Sequence, residues 1–423
     1  TKRLSKINHP QFWKKIMSPF LSAYREHYGT QHVLLRLLEE WRNNLDNNNV
    51  VGGVLMDLSK AFDCIPHDLL TAKFQAYGFN ENVTKYIYSY LKGRKQYVKI
   101  NNTCSNFENI VSGVPQGSIL GPFLFNIFIN DLFYFVEKAS IHNFADDNAL
   151  TSSAKSTNEL IDILQSESSF AIKWFSRNNM IVNPDKFKAI IINKNKTDNT
   201  PKLLSIGNDE IKVENSVKLL GIQIDNKLNF DIHINNICKS ASQQLNALIR
   251  LKSFLGFDEK KVLINSFILS NFNYCPLVWF FSSAKSLNKI ESIQKRAMRF
   301  LYNDYATSYE DLLEKSGRCT IKVKNIKVLC VEIYKTLNKL NPSFMMDILK
   351  LRTTNRPVRE QYQLNLEISN PNQVRFGEKS LRSFGPKIWN TLPYHIKSSE
   401  NLKIFRSLLQ NWNGTSCKCN VCK

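Results

Sequence analysis

The sequence lacks a hydrophobic run long enough to cross a bilayer. Its longest apolar stretches, Ile119–Ile129 and Tyr274–Phe281, are interrupted by polar or helix-breaking residues and fall short of the ~20 residues that a membrane-spanning helix needs. The start of the chain has neither an apolar signal core nor a Met. We therefore expect no membrane span, no export signal and an intracellular protein, and we interpret the sequence as a fragment or a processed piece.

Glycine and acidic residues are also scarce. Only 15 Gly accompany 27 Phe and 15 Tyr, which excludes a collagen-like or low-complexity chain, and 43% hydrophobic residues in 423 are enough to build real cores. The 36 acidic residues face 57 basic ones, a net charge of +21. A surplus of this size favours a polyanionic partner, either nucleic acid or an anionic membrane face, over an ordinary soluble basic protein.

The nine cysteines show no disulfide pattern. Six are scattered, as expected for reduced thiols inside a cell: Cys64, Cys104, Cys238, Cys275, Cys319 and Cys330. The other three, Cys417, Cys419 and Cys422, crowd the C-terminus, where a tetrahedral zinc site would need a fourth ligand. Three alternatives stay open: a zinc knuckle-like module cut short, a zinc site completed by His395 or a partner, or free thiols.

Hydrophobic periodicity predicts an α+β protein. The patterns indicate a helix over Gln31–Trp41, a buried strand over Val50–Asp57, an apolar helix over Ser118–Leu132, a hairpin over Ser140–Leu150, a helix capped by the Ser156-Thr-Asn-Glu159 box, and strands over Lys188–Asn193 and Val217–Ile224. From about Asn226 the pattern is almost purely helical, as in Ile232–Phe254 and Leu287–Leu301. The rest, from Asn303, is broken by prolines and rich in basic residues, among them Lys350, Arg352, Arg356 and Arg359.

Three acids carry the strongest chemical signal. Asp57 ends a buried strand, and Asp146 and Asp147 lie at a predicted tight turn. Carboxylates are costly to bury unless they are paired or bind a cation, and Mg²⁺ prefers such oxygen ligands together with substrate phosphates. Two Mg²⁺ ions about 3.5–4 Å apart can stabilise an in-line phosphoryl displacement. The alternative for the Asp-Asp pair is a solvated turn.

Ordered strings of residues then reveal a family resemblance. The segments Val54–Leu70, Gly113-Val-Pro-Gln-Gly-Ser-Ile-Leu-Gly121 to Asn126, Phe144-Ala-Asp-Asp147, Trp174–Lys186 and Val217-Lys-Leu-Leu-Gly221 look like polymerase motifs A to E in order. The sequence resembles the reverse transcriptase of non-LTR (LINE-type) retrotransposons, particularly the jockey-like branch. The likeness continues through Tyr274–Trp279 and Ile290–Arg296 to Phe384–Asn390, nearly the whole chain.

The resemblance implies roles for the charged residues. Asp57 and Asp146 would be ligands shared by two Mg²⁺ ions, with Asp147 the weaker or outer carboxylate. Lys186 would lie near the leaving pyrophosphate, where an ammonium can donate a proton or charge. The alternative for Lys186 is an exposed lysine at a strand edge.

It also implies contacts to the incoming nucleotide. Phe62 would lie under its sugar, where a bulky ring collides with a 2′-hydroxyl and selects dNTPs; the alternative is a core aromatic. Gln116 and Gly117 would contact nucleotide and template through a backbone turn and an amide. We interpret Arg25 as part of a fingers remnant rather than as a nucleotide ligand.

The implied architecture is a right-hand polymerase: partial fingers and a palm with a mixed or antiparallel sheet over 1–225, a helical thumb over 226–302, and a basic C-terminal region over 303–423. The implied function is RNA-directed DNA polymerisation with an RNA template, a DNA primer or target DNA, and dNTPs, acting in the nucleus, with an upstream endonuclease and most of the fingers missing. The alternatives are a catalytically impaired nucleic-acid-binding relic, or a group II intron maturase or telomerase-like polymerase.

Overall fold

A computed structural model describes residues 16–58, 60–194, 201–353 and 364–412 of the chain. Its strands, in chain order, are β1 Val50–Asp57, β2 Lys95–Gln96, β3 Lys99–Ile100, β4 Thr103–Cys104, β5 Glu108–Asn109, β6 Ser140–Phe144, β7 Asp147–Ala154, β8 Lys188–Ile192, β9 Leu203–Ile206, β10 Asp209–Lys212, β11 Ser216–Leu219 and β12 Ile222–Asp225. The structure confirms a mixture of helices and sheet, and the right-hand arrangement of palm, fingers and thumb stays a prediction.

The described residues also form fifteen α-helices, which predominate beyond Asp225 as the sequence predicts. They are α1 Thr30–Asp46, α2 His67–Ala76, α3 Glu81–Leu91, α4 Gly121–Ile129, α5 Thr157–Arg177, α6 Asp231–Arg250, α7 Phe257–Leu263, α8 Pro276–Trp279, α9 Ala284–Tyr302, α10 Tyr309–Lys315, α11 Ile321–Leu337, α12 Met345–Ile348, α13 Leu381–Thr391, α14 Tyr394–Lys397 and α15 Leu402–Gln410. Within the described residues, no helix is both long and apolar enough to cross a membrane.

The chain divides into two compact units. The first comprises residues 1–29 and 49–220, and the second residues 30–48 and 221–423. Helix α1 therefore belongs to the second unit, although it precedes β1 in the chain. The finer division at residues 225 and 302 stays a prediction.

A four-stranded antiparallel sheet forms the centre of the first unit, in the order β6-β7-β1-β8. Strand β1 lies between two neighbours and is buried over Val50–Val54, which explains its almost continuous apolar sequence. Gly52 lets α5 close on the sheet, because a Cβ there would lie 2.8 Å from the Ile190 carbonyl oxygen and 3.2 Å from Leu160. The close packing of α5 at Gly52 therefore requires a residue without a Cβ in the centre of β1.

The capping box predicted for α5 is present in part. The Ser156 side chain accepts a hydrogen bond from the Glu159 backbone N–H, and the Glu159 carboxylate accepts from the Lys155 N–H rather than from Ser156 itself. The apolar face that follows, with Leu160, Leu164, Ala171 and Trp174, is buried. Glu167, the polar interruption on that face, is buried and accepts a hydrogen bond from the Glu137 N–H at 2.8 Å.

Two predicted elements differ in their bounds. The helix predicted from Ser118 begins at Gly121, where Pro122 suits the first turn, and becomes a 3₁₀ helix over Asn130–Tyr134. The continuous strand predicted over Val217–Ile224 is wrong. Leu220 and Gly221 both have positive φ and form a turn that divides it into β11 and β12, and an internal glycine is the signal for such a break.

The second unit contains a buried carboxylate, Glu39, that joins two helices far apart in sequence and also pairs with Arg42 on its own helix. The Glu39 carboxylate on α1 accepts from the backbone N–H groups of Leu381 and Arg382, at 2.8 and 3.1 Å, where α13 begins. Arg42 lies 3.2 Å from Glu39, and burial lowers its pKa while Glu39 opposes that shift. A carboxylate at a helix N-terminus is favourable because the helix dipole is positive there.

Candidate active site

The three predicted acids meet at one end of the sheet. Asp57 is the last residue of β1 and lies directly opposite Asp147, the first residue of β7. Asp146 occupies the turn between β6 and β7, next to Ala145, whose φ is +57°. The register of β1 against β7 therefore gathers two acids from strand ends and a third from the adjoining turn.

Two buried asparagines hold that turn, and the sequence analysis did not single them out. Asn143 donates to the Ala145 carbonyl at 2.6 Å and to the Asn148 side chain at 2.9 Å, while Asn148 donates to the Asp146 carbonyl at 3.0 Å. Both are almost wholly buried. Buried amides that satisfy a turn in this way restrict it to one conformation, so they position Asp146.

The charges at the site are unbalanced. Partial burial raises the pKa of Asp147, and the negative charges of Asp146 and Asp57 raise it further. The Lys186 ammonium lies 3.2 Å from Asp57 Oδ2, with both side chains about half exposed. Lys186 belongs to the one-turn 3₁₀ helix Pro184–Lys186 that precedes β8, so it faces the acids rather than lying on a strand edge.

This charge distribution fits a divalent cation that is completed by substrate. In the part of the chain that the structure describes, no group of three or more His, Cys, Asp or Glu side chains forms a ready-made metal cage. Mg²⁺ does not require one, since it takes one or two carboxylates together with water and substrate phosphates. Burial is the largest cause of the raised pKa of Asp147, and the negative charges of Asp146 and Asp57 add to it. Asp57, Asp146 and Asp147 are thus the residues that would hold such an ion.

Phe62 lies between two other rings, one of which, Tyr24, is close enough to Asp146 for that charge to raise the tyrosine pKa. It stacks on Phe125, with ring centroids 4.4 Å apart, and meets Tyr24 edge to face at 6.3 Å. It is half-buried, so the core contact and an exposed ring edge exist together. Phe62 therefore packs on the core through Phe125 and connects through Tyr24 to the surroundings of Asp146.

The loop that carries Gln116 and Gly117 is fastened to the loop that carries Phe62. The Val114 N–H donates to the Phe62 carbonyl at 2.9 Å, and the Gln116 amide donates to Asp63 Oδ1 at 2.9 Å. Gly117 has φ +77° and open space where a Cβ would project. The two loops are therefore joined by a backbone and a side-chain hydrogen bond.

Tyr24 is a site residue that sequence reasoning missed. It has φ +58°, an unusual backbone conformation for a tyrosine, and its side chain is 57% exposed. Its pKa is raised by burial and by the charge of Asp146. No periodic pattern marks this position, whereas the neighbouring Arg25 is engaged locally, donating to the Ser18 and Leu21 carbonyls.

The structure does not test the predicted zinc site. Cys417, Cys419 and Cys422 lie outside the described residues. The six cysteines in the described ranges are reduced rather than paired in disulfides, as predicted.

Comparisons with known proteins agree on one family. The family model described as reverse transcriptase (RNA-dependent DNA polymerase) matches residues 1–224. The chain is 28% identical to the probable RNA-directed DNA polymerase from transposon BS of Drosophila melanogaster, over 70% of this chain and 34% of that protein. It is 27% identical to the RNA-directed DNA polymerase from mobile element jockey of the same organism, over 67% of this chain and 32% of that protein.

Among solved structures, apo telomerase from Candida tropicalis matches at 14% identity and a TM-score of 0.40, over 78% of this chain and 54% of that one. The chain spans about a third of the length of the curated relatives named above. The family match covers more than half of the chain and includes all three acids. The chain therefore belongs to the reverse transcriptase family, and its named relatives are the polymerases of non-LTR retrotransposons.

Proposed function

We propose that this chain is the RNA-directed DNA polymerase of a non-LTR retrotransposon, extending a primer 3′-hydroxyl with dNTPs on an RNA template, in the nucleus. The observation that carries the proposal is the register that sets Asp57 opposite Asp147, with Asp146 in the adjoining turn and Lys186 beside them. In this reading the first unit contains the palm with partial fingers, residues 226–302 form the thumb, and the basic C-terminal region helps to hold the duplex.

The chemistry needs positioning and charge neutralisation more than it needs reactive groups. A bond forms between the primer O3′ and the α-phosphorus of the dNTP, and the bond to pyrophosphate breaks. Two Mg²⁺ ions, when bound, would neutralise charge on the attacking and leaving oxygens. Asp57 and Asp146 would hold them, with Asp147 as the outer carboxylate.

The other residues would act on the nucleotide and the leaving group. The Lys186 ammonium can donate a proton or positive charge to the departing pyrophosphate. The half-buried Phe62 ring, supported by Phe125 and Tyr24, would lie under the sugar and exclude a 2′-hydroxyl. Gln116 and Gly117 would contact nucleotide and template from the attached loop.

Primer extension on an RNA template in Mg²⁺ tests the proposal. We expect extension by the wild-type chain and its loss in Asp146→Ala. Asp209→Ala is the matched control, because Asp209 is an exposed acid of the same unit on the β9–β10 hairpin. Extension by Asp146→Ala at the wild-type rate would remove that carboxylate from the mechanism. A wild-type chain that binds template and primer without extending them would support the relic instead.

A further inference from the structure

A β-ribbon projects from the first unit between α3 and the Gly113–Gly117 loop. Every residue from 92 to 109 is exposed. Strands β2 and β5 pair at its base, β3 and β4 pair near its tip, and Asn101 turns the chain there with φ +52°. The outgoing segment from Arg94 to Ile100, which includes β2 and β3, spans at most roughly 20 Å at about 3.3 Å per residue. A ribbon of this kind buries little apolar surface, so its side chains need an explanation other than core packing.

The two faces of the ribbon differ in composition. Because side chains alternate along an extended chain, we assign Lys95 of β2, Tyr97 of the link between β2 and β3, and Lys99 of β3 to one face. The Phe107 ring lies 4.8 Å from the Tyr97 ring, which assigns it to the same face. We call these four residues the Lys-Tyr face. Val98 and Ile100 alternate with them and belong to the opposite, aliphatic face, which also carries the one acid, Glu108, paired with Gln96.

The aromatic pair of the Lys-Tyr face is open to solvent. Tyr97 is 48% exposed and Phe107 is 67% exposed. Residues 92–110 include four basic side chains and one acid, so the ribbon is positively charged. Exposed rings between lysines match the requirements of single-stranded nucleic acid, whose bases stack on aromatic side chains for about 1–3 kcal/mol each while ammonium groups contact the phosphates.

The base of the ribbon is attached to the candidate active site. Its returning strand runs into Ser112, whose hydroxyl donates to the Asp63 carbonyl at 3.0 Å, and then into Gly113, whose N–H donates to the Ile65 carbonyl at 2.8 Å. Asp63 is also the partner of Gln116. A single strand of nucleic acid bound along the ribbon would therefore lead to the Gly113–Gly117 loop, which we assign to contacts with the nucleotide and template.

We propose that the Lys-Tyr face binds single-stranded RNA, the unpaired part of the template. The identification of that RNA as template rests on the proposed polymerase function, whereas RNA binding by the ribbon does not. Two bases would stack on Tyr97 and Phe107, and Lys95 and Lys99 would each neutralise a phosphate.

The test uses the full chain and a fluorescently labelled oligouridylate, with affinity measured by anisotropy across a salt series. Tyr97→Ala/Phe107→Ala should weaken binding by at least about tenfold. Lys95→Gln/Lys99→Gln should reduce the slope of log affinity against log salt by about 1.4, since each phosphate contact on a single strand contributes about 0.7. Val98→Thr/Ile100→Thr alters the opposite face and should leave both quantities unchanged.

Three results would overturn the proposal: an aromatic double variant with wild-type affinity, an equal loss in the aliphatic-face control, or an aromatic variant that changes only self-association of the chain. Because the ribbon is exposed, all variants should keep the wild-type melting temperature. Primer extension is measured separately on a template with a long overhang. If RNA binding needs the Lys-Tyr face but the chain extends no primer, the ribbon proposal stands and the polymerase proposal fails. If the chain extends the primer but its RNA binding does not need the Lys-Tyr face, the polymerase proposal stands and the ribbon proposal fails.

Discussion

The close approach of Gly113 to the loop of Phe62 makes a sharp prediction. A Cβ at Gly113 would lie 2.7 Å from the Asp63 carbonyl oxygen and 2.8 Å from its Cα, and the backbone has φ +84°. Gly78 has nearly the same φ, +79°, but nothing within 4 Å of its Cβ position. Alanine at either position therefore incurs the same conformational cost, and only Gly113→Ala adds a collision with backbone.

The magnitudes separate the two variants. Positive φ costs an alanine about 1–2 kcal/mol, offset in both variants by about 0.4–1 kcal/mol from the less flexible unfolded chain. The collision at Gly113 adds about 1–3 kcal/mol, as for an overpacked core, and strains the hydrogen bonds from Gly113 and Val114 to Ile65 and Phe62. We expect Gly113→Ala to be less stable than Gly78→Ala by about 1–3 kcal/mol.

Urea unfolding followed by circular dichroism measures that difference, and amide hydrogen exchange at Gly113 and Val114 locates it. Gly113→Ala should also reduce primer extension, because the loop that carries Gln116 shifts with it, while Gly78→Ala keeps activity. Equal stability and equal exchange in the two variants would refute the reasoning that the two loops are tightly joined.

Three further predictions concern side chains at the site. The raised pKa of Asp147 means that the folded protein binds this proton more tightly than the unfolded chain, so stability falls as the pH rises through that pKa. Asp147→Asn should therefore raise the melting temperature at pH 7 but not at pH 3. Equal shifts of the melting temperature at the two pH values would contradict this. Lys186→Gln should slow nucleotide addition while changing the free energy of unfolding by less than about 1 kcal/mol, as for an exposed ion pair. Lys188→Gln, at an exposed position, is the control and should change neither quantity. A large loss of stability in Lys186→Gln would show that this lysine has a structural role. Phe62→Ala should raise the ratio of rNTP to dNTP incorporation by at least about tenfold, and a lower melting temperature with an unchanged ratio would favour the core-aromatic interpretation.

Local patterns account for the parts of the fold that local physics determines. The apolar run from Val50 predicts β1, and the predicted end of that strand at Asp57 agrees with the structure. The hairpin over Ser140–Leu150 is likewise predictable, because alternation on both sides of a turn needs no distant partner. The resemblance implies that Lys186 lies near the leaving pyrophosphate, which stays a prediction, while the structure sets its ammonium 3.2 Å from Asp57 Oδ2.

Other features depend on partners that are distant in sequence. Tyr24 has a positive φ and its ring contacts that of Phe62, and no periodic pattern in the sequence predicts either feature. Glu39 interrupts an apolar helix face, and its partners at Leu381 and Arg382 lie more than 300 positions away. Asparagines next to a predicted turn, such as Asn143 and Asn148, are usually exposed, and the burial of these two becomes evident only in the assembled sheet.

Single-nucleotide addition by Asp57→Asn tests the central claim most directly. The substitution keeps the size of the side chain and removes its charge, at the point where β1 faces β7. With an RNA template, a DNA primer and saturating Mg²⁺, the account predicts a rate at least about a hundredfold below that of the wild-type chain, with unchanged binding of template and primer. An Asp57→Asn protein that adds the nucleotide at the wild-type rate would contradict the assignment of this cluster as the polymerase active site.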